Sequence, residues 1–133
     1  WEANISREGS DCTIVTYGLM VHNSLKAADA LKKDGIDVEV VDLRTLSPID
    51  MDTVIESVEE TGRLVCVDEA NPRCSIATDV SACVARDAFK ALKAPIGMVT
   101  APHAPVPFSP TLEDLYIPSP ERIAETVRGT MGA

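Results

Sequence analysis

The sequence predicts an α/β domain built on a parallel sheet covered by helices on both faces. Three observations predict it. Four apolar runs rich in β-branched residues, at positions 12–18, 36–43, 63–68 and 94–101, show little polar alternation, as strands buried on both faces require. Stretches with helical apolar spacing lie between and after them. Most connections are short, so each strand–helix–strand unit reads as a right-handed crossover.

The opening "EANISREG" carries charges and no continuous apolar run, which suits an added, exposed edge strand. "CTIVTYG" is the first buried strand and stops at Gly18. A helix follows to Lys33, with Leu25, Ala28 and Leu31 on one face and Asp34-Gly35 as its stop. "IDVEVVDL" is the next strand. A second helix opens after Pro48 with Asp50 as N-cap, aligns Val54, Ile55 and Val58, and ends at Gly62. "RLVCVD" is the third buried strand. Residues 75–92 form the third helix, with Ile76, Val80, Cys83 and Val84 in one stripe. "APIGMVTA" is the fourth buried strand. Ser119, Pro120 and Glu121 supply an N-cap, a Pro at N1 and a first-turn acid for a last helix with Ile123, Val127 and Met131 inward.

The 133 residues are the size of one domain (1–133) with a real core. Aromatics make up only 4%, so that core is aliphatic. A net charge of −9 argues against nucleic acid or an anionic membrane as partner. No run approaches the roughly 18–20 apolar residues that span a bilayer, and the polar start does not read as a signal peptide. The chain does not begin with Met, which suggests a piece of a longer one. Cys12, Cys66, Cys74 and Cys83 form no C-x-x-C pair, so they read as ordinary thiols of a reducing, cytoplasmic compartment rather than a zinc or redox motif.

In an open α/β sheet the working edge is the carboxyl end of the strands. Here it holds Tyr17-Gly18, Asp42, Asp68-Glu69 and residues 101–103. Asp42, Asp68 and Glu69 are candidates for a cation site or for acid–base work; loop hydrogen bonding explains the same residues. A phosphate-accepting receiver domain needs paired acids after its first strand, where Tyr17-Gly18-Leu19 stands, and a Lys after its last, where Thr100-Ala101-Pro102 stands. "GLMVHN" has one Gly where a dinucleotide turn needs three. Neither a G-x-S-x-G elbow nor a Walker loop is present. His22 and His103 have no acid or nucleophile at recognisable spacing. Residues 101–123 hold six of the nine prolines.

Residues 38–70, "VEVVDLRTLSPIDMDTVIESVEETGRLVCVDEA", closely resemble the C-terminal domain of the beta subunit of 2-oxo-acid dehydrogenase decarboxylating components. The resemblance rests on Asp42-Leu43-Arg44-Thr45-Leu46-x-Pro48-x-Asp50, Thr61-Gly62-Arg63 and Glu69-Ala70. "TIVTYGLMV", "LKAPI" and "LEDLYIPSPERI" extend it over nearly the whole chain. "DEANPRCSIATDV" and "APHAPVPFSPTLEDLYIP" are most similar to the acetoin dehydrogenase branch, and Asp79 stands where many relatives carry Glu.

The resemblance implies a three-layer α/β/α fold of the transketolase C-terminal type, a mixed five-stranded sheet with one antiparallel edge strand. It implies an α2β2 enzyme dependent on thiamine diphosphate and magnesium, which passes an acyl group to a lipoyl acyltransferase. It places the cofactor between the alpha subunit and the other beta domain, so no catalytic, cofactor or metal residue is assigned here; the domain alone is expected to be inactive. The stiff Pro-rich loop is then expected to lie against a neighbouring subunit through His103, Val106 and Phe108. His22 and Arg44 are further interface candidates, although the Arg44 fork also suits an internal pair with Asp42 or Asp68. Two other readings stand beside this one: the matching domain of a transketolase or deoxyxylulose-phosphate synthase, and a stand-alone module binding a small anion or a regulatory partner.

Overall fold

A computed structural model describes residues 2–70, 75–101 and 117–132. The strands are β1 (Asn4–Arg7), β2 (Cys12–Thr16), β3 (Val38–Asp42), β4 (Leu64–Val67) and β5 (Gly97–Val99). The helices are α1 (Met20–Lys33), α2 (Met51–Thr61), α3 (Ile76–Asp87) and α4 (Pro120–Met131), with a 3₁₀ turn at Phe89–Ala91. The five strands form one sheet in the order β1-β3-β2-β4-β5. All neighbours are parallel except β1, which runs antiparallel to β3 at the edge.

Strand alternation divides the core in two. Cys12, Ile14, Val38, Val40, Val65, Val67 and Val99 face α1 and α4, meeting Ala28, Leu31, Ile123 and Val127. Val15, Val41, Leu64 and Cys66 face α2 and α3, meeting Val54, Val58, Val80 and Val84. The result is the expected three-layer arrangement. The connection from β1 to β2 passes so close to the start of β3 that only glycine fits: a Cβ on Gly9 would lie 2.3 Å from the Val38 carbonyl carbon.

Local chemistry explains the helix ends. Asp50 caps α2 by accepting the Thr53 N–H at 3.2 Å and the Thr53 hydroxyl at 2.6 Å. Ser75 and Thr78 form a reciprocal capping box on α3. Ser119 accepts the Arg122 N–H at 3.2 Å, with Pro120 at the first position of α4.

The third helix is shorter than its sequence stripe suggested. It leaves helical geometry at Ala88, φ −134°, where the chain tucks Ala88 into the second core. It then turns so that the Lys93 N–H reaches the Gly62 carbonyl at 2.8 Å. Leu25, Ile55, Ile76 and Met131 flank the cores half-buried rather than filling them.

Candidate functional site

The parallel strands all point their carboxyl ends at one edge. From β2 the chain crosses one face through α1 to reach β3, and from β4 it crosses the other face through α3 to reach β5. The crevice between the ends of β2 and β4 is therefore the switch point where open α/β sheets bind ligands.

Side chains of the domain itself close that crevice. Tyr17 Oη donates to Asp68 Oδ1 at 2.8 Å. The Asp68 carboxylate, 1% exposed, also accepts the N–H of Ala70 at 2.9 Å and of Ala77 at 3.3 Å. The space beneath the pair, bounded by Val15, Leu43, Cys66 and Val80 among others, is about 10 Å³, too small for more than one water molecule. Burial, and then the Asp68 carboxylate it bonds, pushes the Tyr17 phenol from 10.0 to about 12. Asp68 ties the loop after β4 to the start of α3. Of the two readings of Asp68, loop hydrogen bonding is the one its three donors support.

Asp42 also serves a turn: its Oδ1 accepts the backbone N–H of Arg44 at 3.0 Å. Glu69 is exposed beside the crevice. Among the described residues no group of three or more His, Cys, Asp or Glu could hold a metal ion, and with the crevice closed these residues do not fit a thiamine diphosphate–magnesium pair. No helix among them is long and apolar enough to cross a membrane.

Arg44 departs from the internal pairing weighed above. The contact with Asp42 runs through its backbone, and Asp68 is taken by Tyr17 and two amides. Its side chain is exposed and forms no ion pair among the described residues. His22 is exposed on the first turn of α1, on the rim of a hollow of about 420 Å³ lined also by Leu19, Asn23, Ile117 and Pro118. Asn23 Nδ2 donates to the Pro118 carbonyl at 3.0 Å and so joins α1 to the approach of α4. His103, Val106, Phe108 and Cys74 lie outside the described residues. Cys12, Cys66 and Cys83 are free thiols. Burial pushes Cys12 to about 11 and Cys66 to about 12, so neither is a nucleophile near neutral pH.

One buried polar chain escaped the sequence reading. Ser57 Oγ donates to Glu39 Oε2, Thr13 Oγ1 lies 2.7 Å from Ser57 Oγ and 2.8 Å from Thr61 Oγ1, and Thr61 Oγ1 donates to the Arg63 carbonyl at 3.1 Å. It fastens α2 to the sheet. The available signal was the pair Thr13 and Glu39, polar residues inside apolar runs that prove to be direct cross-strand partners.

A doubly wound sheet with an antiparallel first strand defines an open three-layer α/β domain, whose switch-point crevice is closed from within among the described residues. The chain belongs to the transketolase C-terminal domain family, whose model matches residues 2–123. It is 71% identical over 130 residues to the acetoin:2,6-dichlorophenolindophenol oxidoreductase subunit beta of Cupriavidus necator, covering 98% of this chain and 38% of that one. It is 50% identical over 127 residues to the pyruvate dehydrogenase E1 component subunit beta of Bacillus subtilis, covering 96% and 39%. Among solved structures, a split-gene transketolase described as an inactive beta4 tetramer superposes with a TM-score of 0.82 at 27% identity, over 98% of this chain and 41% of that one. The chain thus spans about two-fifths of the length of these relatives.

Proposed function

We propose that the chain is the C-terminal domain of the beta subunit of a thiamine diphosphate-dependent dehydrogenase, acting on acetoin and serving as a platform for subunit assembly. The observation that carries this is the 71% identity, across nearly the whole chain, to a subunit named for acetoin oxidation. The pyruvate-type reading rests on a relative at 50% and comes second. The closed crevice supports a non-catalytic role: cleavage next to the carbonyl, together with thiamine diphosphate and magnesium, belongs to the rest of the enzyme. The partners are an alpha subunit, a second beta subunit and a lipoyl acyltransferase, and the free thiols suit the cytoplasm. His22, Arg44 and the Pro-rich segment with His103, Val106 and Phe108 face neighbouring subunits.

The test is reconstitution. The full-length beta subunit is combined with its alpha subunit, thiamine diphosphate and magnesium, and dye reduction is followed with acetoin and with pyruvate. Acetoin-dependent reduction supports the proposal. Reduction with pyruvate alone moves the assignment to the second reading, and no reduction with either rejects both.

A further inference from the structure

Among the described residues four adopt left-handed backbone geometry. Three are glycines: Gly18, Gly35 and Gly62. The fourth is Arg44, at φ 61°. A residue with a Cβ is disfavoured in this region, and glycine is the usual solution. Strain of this kind persists where the surroundings fix it, and it concentrates at functional positions.

The surroundings of Arg44 do fix it. On one side Leu43 is fully buried, and its N–H is bound to the Thr16 carbonyl at 2.9 Å. The Asp42 carboxylate holds the Arg44 N–H at 3.0 Å, and the Thr45 N–H meets the Leu43 carbonyl at 2.6 Å. On the other side Leu46 and Ile49 pack against the second core. The turn is anchored at both ends, while the guanidinium is exposed without a carboxylate among the described residues. The turn therefore spends conformational energy to hold a cation outward, and it needs no guanidinium to close.

We infer that Arg44 is a pre-organised receptor for one carboxylate, presented by a neighbouring polypeptide in the assembled enzyme. The inference rests on the assembly reading above and names the chemistry of its contact. The backbone beneath the side chain is fixed in advance, and the planar guanidinium matches a carboxylate bidentately. A protein carboxylate is favoured over free phosphate because the chain carries a net charge of −9. That charge repels a diffusing polyanion, whereas a single carboxylate delivered with its own subunit contacts is tolerated.

The experiment uses full-length beta subunit, alone and mixed with the alpha subunit, as wild type, Arg44→Gly, Arg44→Asn and Arg44→Lys. Melting temperature is read on beta alone, and assembly is read by sedimentation. Gly and Asn suit the left-handed turn but lack the charge. The expected result is an unchanged or raised melting temperature together with assembly weakened at least tenfold. Lys keeps the charge without the fork and recovers part of the affinity. Raised salt narrows the gap between wild type and the neutral variants.

Arg44→Gly that melts lower but assembles as wild type overturns the inference in favour of an internal brace. Assembly of Gly and Asn within twofold of wild type overturns it outright. So does free phosphate raising the melting temperature of wild type but not of Arg44→Gly. A wild-type beta subunit that stays monomeric both alone and with the alpha subunit overturns the assembly reading and the inference together. The dye assay judges the enzyme assignment separately, so loss of one is distinguishable from loss of the other.

Discussion

Replacing Tyr17 by Phe asks whether the switch-point crevice is a structural seal. The substitution removes one hydroxyl and keeps the ring. The lost bond, 2.8 Å long, ends on a carboxylate that is 1% exposed. Hydrogen bonds to charged groups are worth about 1.5–3 kcal/mol. Asp68 keeps its two backbone donors, and Tyr17 is itself only half-buried, so the lower part of that range applies: about 1.5–2 kcal/mol. For a chain of this size that is a fall in Tm of roughly 5–7 °C. The assay is urea unfolding followed by circular dichroism, repeated across alkaline pH. The phenol titrates near 10.0 when unfolded and near 12 when folded. Above 10.0 the unfolded state loses its proton first, so the stability tied to this group is complete below 10.0 and is lost as pH rises toward 12. Tyr17→Phe removes that alkaline decline. A variant within about 0.5 kcal/mol of wild type, with the decline intact, would refute the seal.

Substitutions at two further positions test the turn chemistry. Asp50→Ala removes the cap of α2 and the acceptor of the Ala3 N–H at 3.0 Å, costing about 1–2 kcal/mol by denaturant midpoint. The Thr53 hydroxyl, followed by the Ala3 amide, holds the Asp50 carboxyl below 3.8. The stability it contributes is therefore present above 3.8 and lost as pH falls through its lower folded value, a loss that Asp50→Asn abolishes. Gly62→Ala forces a Cβ into φ 77° and to 2.8 Å from the Lys93 side chain. Lys93 can swing aside, so the backbone sets the cost at about 1–2 kcal/mol, read from the same unfolding curves.

The fold was legible because its signals are local and repeated. Continuous β-branched runs can only be strands buried twice, and Asp50, Gly62 and Ser119 mark helix ends by their own chemistry. Strand ends were less legible. Tyr17, Leu43 and Asp68 close their runs in the sequence but lie one residue beyond the strands, where the chain turns to build the carboxyl edge. The site was half legible. Tyr17 and Asp68 are both visible as edge residues, yet their bond depends on β2 and β4 becoming neighbours although α1, β3 and α2 lie between them in the chain. The left-handed turn at Arg44 had no signal, since glycine is the residue that announces such geometry and here it is absent.

The stretch "DLRTLSPID" now has a physical account residue by residue. Asp42 binds the following turn, Leu43 and Leu46 anchor it in the core, and Asp50 starts α2 while holding the amide of Ala3 just ahead of β1. Each of these roles is internal and would serve any domain of this fold. Arg44 is the exception: its backbone completes the turn, and its charge is left over. Among the described residues the domain's switch-point crevice is filled by its own side chains. The position where the domain accepts strain instead of glycine is therefore where surface chemistry most plainly outweighs stability, and contact with another chain is what such an exchange would serve.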